Sequence, residues 1–177
     1  MRTAARIAST LARFIGLPEM NLYSATLDSA GDLVLGSQRL ALGQRLAPLE
    51  GRAGQTVIVG VRPEDLQLSS AAAGSDGAGT LTADVRVVEP LGSELHAIFS
   101  IDAPTAGGRE LTAAAGDADD LLPGLAYNGV ARLGPRAMVR PGDRVTFRVD
   151  ASRLHFFDPD TGHACGSARD AADAVRS

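Results

Sequence analysis

Apolar positions along the chain recur at two different spacings, and the change from one to the other divides it. Residues 3 to 15 place Ala4, Ile7, Leu11, Phe14 and Ile15 on one stripe opposite Arg6 and Arg13. That is the 3.6-residue period of an amphipathic helix, and Gly16 and Pro18 end it. From Leu22 onward the period is two. Leu22 to Leu27 and Leu33-Val34-Leu35 flank the turn Asp28-Ser29-Ala30-Gly31-Asp32, the pattern of a β-meander. Gln55 to Arg62 sets Val57, Val59 and Val61 on one face until Pro63 denies the ladder a donor, and Leu66-Gln67-Leu68 follows as a short strand. Thr80 to Glu89 alternates Leu81, Ala83, Val85 and Val87 against Thr80, Thr82, Asp84 and Arg86. Pro90-Leu91-Gly92 turns the chain into a return strand over Leu95 to Ile101, and Arg109 to Ala115 predicts another. Arg144 to Asp150 alternates Val145, Phe147 and Val149 against Thr146 and Arg148, before Leu154 to Phe157 and the turn Asp158 to Gly162.

Two of these stretches match each other without a gap. Gly54, Val57, Val59, Val61 and Leu66 align at a constant offset with Gly142, Val145, Phe147, Val149 and Leu154. Each is a turn, an alternating strand and a short following strand, so the pattern predicts a mainly β chain of two similar small barrels, intertwined, behind a short N-terminal helix. The division expected is an N-terminal helix and linker over 1–21, a β-domain of two sub-units over 22–163 and a frayed tail over 164–177. Residues 69–79 are small and Gly-rich, the composition of a flexible connection.

Composition narrows the chemistry. The 177 residues include 17 Lys plus Arg, and every one is Arg. Without Lys there is no P-loop lysine and no Schiff-base amine. Net charge of −4, 4% aromatics and no Trp argue against a nucleic-acid partner, since neither a basic footprint nor stacking platforms are present. The single Cys165 leaves no internal disulfide and fits a cytoplasmic setting. No apolar run reaches the ~20 residues of a membrane span, and Arg6 and Arg13 interrupt any signal-peptide core, so membrane association is expected only through a partner.

Three ordered segments carry a family resemblance: Phe14-Ile15-Gly16-Leu17-Pro18-Glu19-Met20-Asn21, Gly60-Val61-Arg62-Pro63-Glu64-Asp65-Leu66, and Val85 to Glu94, VRVVEPLGSE. Leu154-His155-Phe156-Phe157-Asp158 with Thr161-Gly162 supports them. Together, across residues 14 to 163, they resemble the C-terminal regulatory region of the ATP-binding subunits of carbohydrate-import ABC transporters of the maltose and glycerol-phosphate type. The resemblance implies a TOBE or MOP-like OB-fold, a homodimerising module at the cytoplasmic face of the membrane, and ATPase, permease and regulatory-protein partners. The family's Walker A, signature and Walker B elements are missing, so no ATP hydrolysis, no enzyme activity and no cofactor are expected. A truncated gene, a subunit beside a separate ATPase and an excised domain all fit that reading. The alternative function is a free-standing MOP-like protein binding a molybdate-type oxyanion, for which Gly92-Ser93 is the suggestive backbone nest.

Two groups of residues are candidate partner or dimer contacts. Arg62, Glu64 and Asp65 flank the rigid Pro63, which would present a fixed charge pattern to another protein; the same corner is also an ordinary turn with solvated charges. Glu89, Leu91, Gly92, Ser93 and Glu94 lie where the resemblance implies self-association, and equally form a strand-to-strand turn. His155, His163 and Cys165 are too few and too poorly spaced for a metal site. Asp117, Asp119 and Asp120 lack the alternating ligands of a calcium loop, and no positioned nucleophile suggests hydrolase chemistry.

Overall fold

Short alternating runs separated by turn residues give eleven strands in the computed structural model, which describes residues 20–42, 49–69, 79–106 and 127–167. They are β1 (Asn21–Leu27), β2 (Leu33–Leu35), β3 (Gln38–Leu40), β4 (Thr56–Val61), β5 (Leu66–Leu68), β6 (Gly79–Pro90), β7 (Leu95–Ser100), β8 (Gly129–Leu133), β9 (Arg144–Val149), β10 (His155–Phe157) and β11 (Ala164–Ser167). The expected helix over 3–15, the strand over Arg109 to Ala115 and the acidic loop with Asp117, Asp119 and Asp120 lie outside the described residues.

The strands form two sheets, ordered β11-β10-β4-β1-β2-β3 and β5-β9-β6-β7-β8, and all pairings are antiparallel. Leaving β11 aside, each sheet is a three-strand meander with a fourth strand returning beside the first. Each then borrows its outermost strand from the other half of the chain. β5 follows β4 in sequence yet pairs with β9, with Leu68 opposite Phe147. β10 follows β9 yet pairs with β4, with Phe156 opposite Val59. These are equivalent pairs under the internal match, so the two units are intertwined by reciprocal strand exchange.

The equivalence extends to the turns. Gly54 and Gly142 both adopt positive φ, 78° and 90°, and their amides donate to Leu27 and Val85 carbonyls at 2.7 and 2.8 Å. Short 3-10 turns, Pro63–Asp65 and Ala151–Arg153, then carry the chain across to the opposite sheet. Asp65 of the first and Arg153 of the second occupy equivalent positions and bond to each other, Nη1 to Oδ1, at 2.7 Å. Asp65 is 8% exposed, so this pair sits at the centre of the exchange.

One core serves both sheets. Tyr23, Leu33 and Val59 pack in the same cluster as Leu81, Phe99, Phe147 and Phe156, and the Phe99 and Phe147 rings meet at 5.0 Å, tilted by 44°. β4 is buried on both faces, not on the valine face alone, because Ile58 packs with Phe157, Met20 and Leu22 behind the sheet. In β6 the alternation ends at Val85: a bulge between Val85 and Val87 leaves Val87 and Val88 both half-buried. Gly79, expected within the flexible connection, already pairs with Val149 as the first residue of β6. The chain from 164 does not simply fray either, since Ala164–Ser167 adds β11 to the edge of β10.

Two side-chain amides join the sheets where backbone pairing stops. Asn21 Nδ2 donates to the Val130 carbonyl at 2.9 Å and its Oδ1 accepts from the Val130 amide at 2.8 Å. Gln38 does the same to Thr82, at 2.9 and 2.7 Å. Each amide reproduces both bonds of a peptide and so extends a ladder sideways. The five-stranded sheet curls until β5 approaches β8, giving a barrel-like wall.

Candidate interaction surfaces

The first candidate group is set by the 3-10 turn after β4. Pro63 occupies its first position, where the fixed φ favours the turn and the absent N–H is not missed, and Asp65 N–H donates back to the Arg62 carbonyl at 3.0 Å. Pro63 and Asp65 are buried while Arg62 and Glu64 project outward. Asp65 is therefore a structural residue bonded to Arg153, and only Arg62 and Glu64 of this group are available to a partner.

The second group is the tip of the β6–β7 hairpin. Leu91 N–H donates to the Glu94 carbonyl at 2.8 Å, and Gly92 takes the positive φ of 80° that closes so tight a turn. Leu91 is 52% exposed, and Glu89, Gly92 and Ser93 are exposed around it. Ser93 N–H donates to the Leu91 carbonyl at 3.1 Å, so one of the amides an oxyanion nest would use is already bonded.

Glu94 is anchored. Arg132 of β8 bonds one carboxylate oxygen and His96 Nε2 lies 3.2 Å from the other. The Arg132 hydrogen bond, followed by its charge and the His96 contact, holds the Glu94 carboxyl below the usual range. Asp28 is likewise held low, first by the Asp32 amide and further by Ala30 and Arg39. β8 connects the two groups: it carries Arg132 to Glu94 and packs against the 3-10 turn.

Sequence reasoning did not find β8, Arg132 or the two clamping amides. Gly129-Val130-Ala131-Arg132-Leu133 does alternate, but it is short and opens on Gly. A lone Asn21 or Gln38 has no pattern that announces a distant backbone partner. Among the described residues no three His, Cys, Asp or Glu side chains are arranged to hold a metal ion, and no helix there is long and apolar enough to cross a membrane.

The chain matches the family model for the MalK OB fold domain over residues 16–66 and that for the TOBE domain over residues 59–127. The sn-glycerol-3-phosphate import ATP-binding protein of Agrobacterium fabrum is 35% identical over 161 residues, covering 89% of this chain and 34% of that protein. The trehalose import ATP-binding protein of Mycobacterium tuberculosis is 31% identical over 156 residues, covering 86% and 39%. An uncharacterized ABC transporter ATP-binding protein of Sinorhizobium fredii is 34% identical over 154 residues, covering 86% and 33%. The chain thus spans about a third to two fifths of the length of these relatives. Among solved structures, the cytoplasmic molybdate-binding protein ModG with molybdate bound is 14% identical with a TM-score of 0.49, covering 77% of this chain and 94% of that one.

Proposed function

Because this chain carries the MalK OB-fold and TOBE domains and is homologous to the C-terminal region of sugar-import ABC transporter ATP-binding proteins, we propose that it is the regulatory and dimerisation module of such an importer. In this role it binds and positions the ATP-hydrolysing and permease subunits at the cytoplasmic face of the membrane and does not itself hydrolyse ATP. The observation that carries the reading is the pair of overlapping domain matches, which meet at residues 59–66, where the chain leaves the first sheet for the second.

The surfaces for this role are Arg62 with Glu64, and the hairpin tip Glu89, Leu91, Gly92, Ser93 and Glu94. Support comes from their construction. The first is a charge pattern on a turn stiffened by Pro63 and anchored through Asp65. The second is an exposed Leu91 beside a carboxylate locked by Arg132 and His96. Both have the fixed geometry that lets a surface select a partner without a large ordering cost on binding.

Tagged protein expressed in its host should co-purify with the ATP-binding or permease subunit of a carbohydrate importer, identified by mass spectrometry. Leu91→Asp should weaken that capture. A folded, abundant chain that brings down neither subunit would end this reading.

A further inference from the structure

We propose that loop 134–142 is a docking element for a second copy of this chain, received in the cavity between the β1–β2 turn and residues 49–53. The inference rests on the self-association in the proposed function and gives it a specific contact.

The loop presents an apolar side chain among cations. Met138 is 96% exposed, and Arg136 and Arg140 of the loop, with Arg144 at the start of β9, are exposed with no ion-pair partner among the described residues. The loop is not slack. Val139, next to Met138, is buried in the core, Ala137 N–H donates to the Gly134 carbonyl at 2.9 Å and Gly142 N–H to Val85 at 2.8 Å. Asp143 accepts from the Arg140 amide at 2.8 Å. A single exposed apolar side chain is ordinary on a surface; this one differs in standing on a fixed loop between cations unpaired among the described residues, and so offers a partner an apolar anchor ringed by charge.

The chain also carries the complementary surface. A cavity of about 560 Å³ opens between the β1–β2 turn and the turn after Leu49, with Leu27, Leu49 and Ala53 among its apolar lining and Asp28 and Glu50 on its wall. Asp28 is fixed by the amides of Ala30 and Asp32 and by Arg39, and Glu50 is exposed. One wall of the cavity, residues 49–53, is the repeat counterpart of the loop: under the internal match Glu50 stands where Met138 stands, and Arg52 where Arg140 stands. The charges differ between the two: in the first, Asp28 is paired with Arg39 and Arg52 lies 3.8 Å from Asp158, leaving Glu50 as the exposed carboxylate, whereas Arg136 and Arg140 of the second have no ion-pair partner among the described residues. Made twice about a two-fold axis, plug (the loop) to socket (the cavity) and socket to plug, the contact closes as an isologous dimer.

Sedimentation velocity across protein concentration tests this. Reversible association is expected, weakened by about 0.5 M salt, which screens exposed charges. Met138→Glu and Glu50→Arg should each weaken it about tenfold or more, as loss of an anchor does, with unchanged circular dichroism. An Arg136→Glu/Arg140→Glu chain mixed with a Glu50→Arg chain should associate better than either alone, because both plug-and-socket contacts in the mixed pair are then charge-matched. Association unchanged by Met138→Glu and Glu50→Arg overturns the contact while leaving self-association standing. A chain monomeric up to about 1 mM, beyond the range of specific pairing, overturns both the contact and the self-association on which it rests.

Discussion

Tyr23 shows how little a single residue's type says about its role. It is 1% exposed, its hydroxyl has no hydrogen-bond partner among the described residues, and burial drives its pKa up. A buried hydroxyl without a partner costs about 1–3 kcal/mol of desolvation. Tyr23→Phe is therefore expected to hold or raise stability in urea unfolding, whereas a loss of about 1 kcal/mol or more would mean the hydroxyl has a partner. The opposite holds for Asp65. Asp65→Ala leaves Arg153 without its carboxylate at the centre of the exchange and should cost about 1–3 kcal/mol, reduced from the fully buried case because Arg153 is half exposed. Since the two positions are equivalent in the repeat, the swap Asp65→Arg with Arg153→Asp should recover part of that loss. Recovery of none would show that the pair is tied to its local neighbours, Asp150 and Glu64, more than to the symmetry.

At the scale of elements, the strands were readable where the alternation was long. β1, β6, β7 and β9 fall within a residue or two of their predicted spans, because burial of one face requires that alternation whatever the neighbours are; β4 does so too, though it is buried on both faces. β3, β8 and β11 escaped notice, although β2, β5 and β10, of three residues each, were predicted: β3, β8 and β11 carry too few apolar residues to mark a strand by themselves, and their existence depends on an edge already present to receive them. The hairpin candidate Glu89 to Glu94 was legible as a turn, while Arg132, which fixes Glu94, was not, being 38 residues further along. The clamps give an element-scale prediction. Asn21→Leu should leave both backbone groups of Val130 unpaired, lowering stability by about 1–3 kcal/mol and speeding hydrogen exchange at the Val130 amide. Gln38→Leu should do the same at Thr82. Protection unchanged in both variants would mean that neighbouring strands, not the amides, hold the sheets together.

For the molecule as a whole, the acid response follows from its carboxylates. Glu94, Asp28, Asp150 and Asp158 are all held below their ordinary range, by Arg132, the Asp32 amide, Ser152 and Thr161 respectively. A carboxyl with a lower pKa folded than unfolded binds more protons when unfolded as pH falls. Its contribution is complete above the unfolded value and disappears as pH drops through the folded one. Stability should thus be flat near neutrality and decline below about pH 4. Glu94→Gln should flatten part of that decline in acid titrations followed by circular dichroism. A decline that sets in well above about pH 4 would mean that these carboxylates do not set the acid limit.

The sequence by itself determined the β class, the duplicated turn, strand and short-strand pattern, and the exclusion of lysine chemistry, because periodicity and composition are local properties. It also placed Arg62, Glu64 and the hairpin tip outside, since charge and turn residues resist burial. Only tertiary structure decided which strand pairs with which. β5 and β10 follow their own units in sequence and join the opposite ones in space, a choice made by the shared core and by side chains such as Asp65 and Arg153, 88 residues apart. It also decided that Asp65 belongs to the interior and that Met138 does not, for exposure depends on what the rest of the chain brings alongside.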